Sequence, residues 1–303
     1  ERAEVATYVN GAIAYAEGQN NTFWPFSDVH NNYYQNNLLA HCLAGICTEG
    51  WNASAGAHRT FFEAQAAAFV TGYTTPVWVG PQISEGHYYS TYTANQLWAM
   101  RQYDHVMGTT YGASLSFTPA DMLNLALFQV RPHNGLFFHI GAEAANTYAP
   151  FHGQSWQLWY QLMFLGGAAN DTAKMAKAVL FSSPVTTEAE NFWARSSKAF
   201  MNFYWRVHDI TASALSAKTD RRLVLPVPGG GMTHLRSSQG WDTAATRRAA
   251  VIFNCACDWA SPAYSHANPD SPGFQWAQNT SFMVVDCEYQ GSTYITKQNP
   301  VSR

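Results

Sequence analysis

An α+β fold, predominantly helical, with a few short antiparallel strands and long ordered loops, is what this 303-residue sequence predicts. Three observations carry that reading. Apolar side chains recur at three- and four-residue spacing in several long segments, often behind a recognisable capping residue. Runs of β-branched and aromatic residues are fewer and shorter. The segments between them are long and rich in Gly, Pro and Asn.

The elements follow in chain order. "AEVATYVNGAIAYAEG" places Val5, Val9, Ala12, Ile13 and Ala16 on one helical face, with Gly18 as the expected stop. "HRTFFEAQAAAFVTG" is alanine-rich and is expected to stop at Gly72. "TANQLWAMRQYDHVMG" repeats the pattern with Leu97, Met100, Arg101, Asp104 and Met107. "TPADMLNLALFQV" has Thr118 as N-cap, Pro119 at the first helical position and Asp121 in the first turn. "SWQLWYQLMFLGG" is apolar nearly all round and predicts a short buried helix. Thr187 and Glu190 form a capping box, and Phe192, Ala199, Phe200, Phe203, Tyr204 and Val207 follow as a stripe, so a long helix is expected over 187–207. "WDTAATRRAAVIFNCACDWA" reads as a further helix capped by Asp242. Strands are expected in "TPVWVG", in "RRLVLPVPG", and in "SFMVVDCEY" with "STYIT", the last two joined across Gln290-Gly291. Loops are expected at 20–37, 74–92, 226–240 and 260–278. Residues 1–303 read as one structural unit, a fragment or processed piece of a longer chain, with a weak subdivision near 209–232.

Composition narrows the function. Charged residues make up 12% and aromatics 15% of the chain, against about 25% charged residues in an average protein. Net charge is −3. This excludes a strongly basic nucleic-acid binder. It also excludes disorder, which needs few rings and much charge. Arginine outnumbers lysine twelve to five, and guanidinium tolerates desolvation better than ammonium. The five cysteines, Cys42, Cys47, Cys255, Cys257 and Cys287, lack zinc spacing and are odd in number, so reduced thiols are expected. Sequons at Asn20, Asn52, Asn170 and Asn279 are about as many as chance supplies. No run of apolar residues is long enough to predict a membrane span.

The chain carries no familiar catalytic signature. "YGASLSF" lacks the second glycine of a nucleophile elbow. His139 and Glu143 stand four apart without a second ligand pair. "PVPGGGMTHLRSSQG" follows a strand but lacks the Gly-Lys-Ser/Thr of a phosphate loop and the spacing of a dinucleotide fingerprint, and reads as a turn. The eleven histidines share no common spacing. Neither cofactor nor metal is expected, and the chain reads as non-enzymatic.

"NNTFWPFSDVHNNYYQNN", at 20–37, holds five rings, seven amide side chains and a single formal charge, Asp28. Amides donate and accept, so they satisfy neighbouring backbone at a packed boundary. Rings supply buried area at low entropy cost. Charges there would need pairing after desolvation. A subunit buried on many sides has this texture. The segments 20–37 and 74–92 are therefore expected to lie against other chains, through Phe23, Trp24, Phe26, Tyr33, Tyr34, Tyr88, Tyr89 and Tyr92.

In "NNTFWPFSDVHNNYYQNN", "GPQISEGHYYSTYTANQLW" and "SPAYSHANPDSPGFQW" the chain resembles capsid proteins of toti-like double-stranded RNA viruses. The resemblance implies a structural shell subunit, partnered by copies of itself or sister capsid chains, assembled in host cytoplasm into a virion. In some of those viruses a coat-protein histidine takes part in removing RNA caps, but no histidine here matches it by motif, so no catalytic residue is carried over. Contact with RNA would be weak and non-specific, with Arg221, Arg222, Arg247 and Arg248 as the RNA-proximal residues. Two other readings stand beside it: a helix-rich hydrolase with an aromatic carbohydrate-binding cleft, and a subunit of a non-viral assembly.

Overall fold

The computed structural model of the protein describes residues 1–23, 32–74, 90–115, 117–129, 163–164, 166–167, 169–182, 206–227, 230–237, 241, 249–254, 273–278 and 281–284. Within them the fold is α+β and predominantly helical. The chain divides into two compact units, Glu1–Trp78 with Tyr92–Ser116, and Val79–Thr91 with Phe117–Arg303. Residues 209–232, the expected subdivision, lie inside the second unit.

The first unit is helical. Helix α1 spans Arg2–Phe23, α2 Asn32–Cys47, α3 Ala55–Thr74 and α4 Ser90–Met107. Helix α1 continues past Gly18, and α3 past Gly72, because a glycine stops a helix only where it turns left-handed. Gly108 does so, at φ +71°, and its N–H donates to the Asp104 carbonyl to end α4 where the sequence predicts. The buried face of α1 runs through Ala6 and Ile13, with Val9, Asn10 and Glu17 partly covered. Val5, Ala12 and Ala16 of the expected stripe are exposed instead. Helix α3 buries Ala55, His58, Phe62, Ala66 and Phe69, a stripe at three- and four-residue spacing, and packs on α2. Gly45 on α2 is where the two helices come closest. A Cβ there would stand 2.7 Å from the Arg59 Cγ. Tyr103 of α4 packs on Phe62 with ring centroids 4.5 Å apart and donates its hydroxyl to Glu63 Oε1 at 2.5 Å.

The second unit joins helices to a sheet. Helix α5 spans Pro119–Gln129 and α6 Asp171–Ser182. The predicted cap of α5 is in place: the Thr118 N–H and hydroxyl donate to Asp121 Oδ2, and the Asp121 N–H donates to Thr118 Oγ1. Asn170 caps α6 by accepting from the Ala173 N–H at 3.1 Å. Strands β1 Arg222–Val227, β2 Gly230–Arg236, β3 Ala249–Asn254, β4 Gly273–Gln278 and β5 Ser281–Val284 form an antiparallel sheet in chain order. Pro226 lies on the edge strand β1, where a missing N–H is tolerated.

Several expectations are corrected. The predicted helix over 241–260 contains β3, because "AAVIFN" pairs along its length with β2 and β4. Asp242 itself lies outside the described residues. The loops at 226–240 and 260–278 contain β2 and β4. The ends of 20–37 and 74–92 are helical, in α1, α2, α3 and α4. Val207 lies in a 3₁₀ turn, Val207–Asp209, entered through a left-handed Arg206. The rest of the helix expected over 187–207, including Phe203, lies outside the described residues, as do "TPVWVG" and "STYIT". Helices α2 and α6 are absent from the sequence expectation.

Arg236 ties the sheet to α5. It is buried on the inner sheet face, in the same row as Ala250 and Ala277. Those two small neighbours leave room for the guanidinium. It donates through Nη2 to the carbonyls of Leu127 and Phe128, each at 3.1 Å, at the C-terminal end of α5. Its Cζ lies 3.9 Å from the centre of the Trp241 ring. Burial lowers its pKa to about 9, against the pull of Asp220. Lys218 closes the cluster through Asn124 and Asp220, 5.0 Å from the Phe128 ring.

Arg236→Ala should cost about 3–5 kcal/mol, because it leaves helix-end carbonyls unanswered and opens a void under Trp241. A loss below about 1 kcal/mol in urea denaturation would refute this. The thiols give a second test. Cys42 is buried, donates its Sγ–H to the Ala99 carbonyl at 3.4 Å, and has its pKa raised to about 12 by burial, while Cys47 is exposed; both are free. Iodoacetamide should alkylate Cys47 in the native protein and Cys42 only after unfolding. Equal rates by peptide mass spectrometry would contradict the packing of α2.

Candidate functional site

Two features stand out, one in each unit. The first is the outward face of the sheet. Directly paired residues share a face, so the register places Arg222, Val224, Thr233, Leu235, Val251, Phe253 and Trp276 on one side. This is the side opposite Arg236, Ala250 and Ala277. It is mostly apolar, yet Val224 is 41% exposed, Leu235 36% and Phe253 40%. A sheet with one solvated face normally alternates apolar and polar residues. Here the solvated side carries Val224, Leu235 and Phe253, while the covered side holds Arg236. Sequence reading misses it because it assigns β2, β3 and β4 to loops and a helix. The usable signal is the short apolar runs "RLVLPV" and "AVIF", which are strand-like in length, with the alternation in "THLR" and "QWAQ" beside them.

The second feature is a buried polar junction where α1, α2 and α3 meet. His41 on α2 is buried, stacks on Phe61 at 4.0 Å, and bonds through Nε2 to Glu17 Oε1 of α1 at 3.0 Å. Its Nδ1 faces Nδ1 of His58 on α3 at 3.0 Å. His58 Nε2 lies 2.9 Å from Asn10 Oδ1 of α1. Asn10 and Asn52 exchange paired amide bonds at 3.2 and 3.0 Å, and Asn10 Nδ2 also reaches Ser54 Oγ. The Ser54 N–H donates to Asn52 Oδ1 at 3.0 Å and so fixes which way Asn52 points. Burial is the largest influence on both imidazoles and pushes their pKa below the usual value, while Glu17 pulls each upward. Asn52, one of the chance sequons, is buried and engaged in this network.

The predicted site residues are distributed differently. Arg221 and Arg222 are exposed at the start of β1, and the Arg221 carbonyl accepts from the Arg236 N–H at 2.9 Å. Phe23 ends α1, Tyr33 and Tyr34 lie in the first turn of α2, and Tyr92 lies in the first turn of α4, so these four stand on helix ends and not on loops. Arg247, Arg248, Trp24, Phe26, Tyr88 and Tyr89 lie outside the described residues. Exposed rings among the described residues include Tyr8 and Tyr15, seven residues apart on α1 beside Val5, as well as Phe164 and Phe253. Among the described residues, no helix is long and apolar enough to cross a membrane.

Asn10→Ala should destabilise the first unit by about 1–3 kcal/mol, since it strands both His58 Nε2 and the Asn52 amide in the interior. A change under about 0.5 kcal/mol in chemical denaturation would show that the junction is not formed.

Compared with models of known protein families and with curated protein sequences, the chain matches none of them.

Proposed function

We propose that the chain is a structural subunit of a large protein shell, a capsid enclosing double-stranded RNA. The observation that carries this reading is the apolar outward face of the sheet, on which Val224, Leu235 and Phe253 stand exposed. A free surface of that kind is a liability, and a contiguous apolar face marks an interaction site. Five strands about 4.8 Å apart and about 20 Å long give a face of roughly 500 Å². A standard interface takes about 800 Å² from each partner. The face therefore supplies one contact among several, which suits a subunit with many neighbours. Tyr8 and Tyr15 on α1 offer a separate apolar surface. The 12% charge content agrees with a chain whose surface is largely covered by others of its kind. Partners are further copies or sister chains. Arg221, exposed just before the first strand, offers the weak, salt-sensitive phosphate contact that a mobile enclosed genome permits, whereas Arg222 lies on the sheet face itself.

The test is assembly. Light scattering and negative-stain microscopy of the protein should find large closed particles. Leu235→Glu with Phe253→Lys should abolish them while leaving the circular dichroism spectrum unchanged, because both side chains point outward. A wild-type protein that stays monomeric at tens of micromolar, or a double variant that assembles normally, would overturn the reading.

A further inference from the structure

We infer that the junction of α1, α2 and α3 is an acid-sensitive lock, in which the His41–His58 pair admits one proton where the unfolded chain admits two. The inference stands apart from the shell reading and rests on counting hydrogens. The Ser54 N–H fixes the Asn52 carbonyl oxygen, so Asn10 must turn its Nδ2 toward Asn52 and its Oδ1 toward His58. His58 Nε2 must then carry a hydrogen. At the other end, His41 Nε2 must carry one for the Glu17 carboxylate. Between the rings, two Nδ1 atoms 3.0 Å apart need one hydrogen to share. The network thus has three places for hydrogen, and two neutral imidazoles bring two. One added proton fills all three and leaves a neutral Glu17–imidazolium combination. A second added proton has no place: it would set two N–H groups head-on across the Nδ1 gap, with two positive charges in the interior.

The surroundings agree. Glu17 on α1 is the charged group that bears on the rings among the described residues, and it can balance one positive charge only. From α3, Phe61 covers His41 with an apolar face. Burial opposes charge on both rings, and the charge of His58 opposes that of His41.

The sign follows from linkage. Below the ordinary histidine value of 6.5, the unfolded chain holds a proton on each ring, and the folded pair holds at most one. The side holding more protons is favoured by acid, so stability is present above that value and falls as pH falls. One proton of difference corresponds to about a tenfold rise in the opening equilibrium for each pH unit.

The test compares wild type with His58→Gln, a variant whose new amide oxygen can accept from a charged His41, so that the proton difference disappears. Opening is read at the α2 and α3 amides by hydrogen exchange between about pH 4.5 and 5.5, where both unfolded rings are protonated, after correction for intrinsic exchange rates. The wild type should open about tenfold more per unit of acidification than the variant does. Equal slopes overturn the inference. Imidazole nitrogen NMR of the folded wild type at about pH 5 decides independently, also where the variant fails to fold. One shared proton across the two Nδ1 atoms is expected, and two fully protonated rings overturn the lock.

Discussion

Desolvation of charge is the constraint from which the rest of this structure follows. A guanidinium withdrawn from water costs several kcal/mol unless every direction offers a partner. Arg236 answers part of that demand with two carbonyls at the end of α5, both reached through Nη2, where the helix macrodipole adds its negative pole, and with the face of Trp241. Each partner is then fixed in turn. Trp241 donates its indole N–H to the Asp220 carbonyl at 2.6 Å. Asp220 takes Lys218, and Lys218 reaches Asn124 on α5. A single buried cation therefore sets the position of α5 on the sheet and the path of the segment leading into β1. The first unit obeys the same rule with amides and imidazoles in place of a cation.

The parts of the fold legible in the sequence are those whose signals are local. Helix α5 announces itself through Thr118, Pro119 and Asp121, all within one turn of the element they start. The end of α4 at Gly108 is of the same kind. Elements decided by distant partners are not legible. The run "AAVIFN" has no strand-forming environment until β2 and β4 flank it. Helix α2 buries Gln35, Asn37 and His41 together with Leu38, Cys42 and Ala44, so amides and an imidazole interrupt the apolar stripe on its inward face.

The site features divide in the same way. Low charge and abundant rings are visible at once, and they point to a covered surface without saying which surface. The exposed row through Val224, Leu235 and Phe253 requires strand register, which composition does not contain. His41 and His58 stand seventeen positions apart and share no motif. Their meeting depends on the close approach of α2 and α3 at Gly45, and on the turn that aims Asn52. Arg236 sits in a stretch rich in glycine and serine, and nothing in "THLRSS" marks it as the residue that joins sheet to helix.

The order of the strands has a kinetic meaning. Each strand pairs with its neighbour in the chain, from β1 through β5, so every pairing closes a comparatively short loop. Such topologies lose little entropy at each step and form faster than sheets built from distant segments. The hairpin of β1 and β2, joined across Pro228 and Gly229, is the natural place to start, with β3 and β4 added in turn. A sheet whose outer face is apolar is most vulnerable to indiscriminate sticking while its strands are still loose. Zipping in chain order shortens that interval, and the sticky face exists for most of its lifetime as one rigid surface of defined shape.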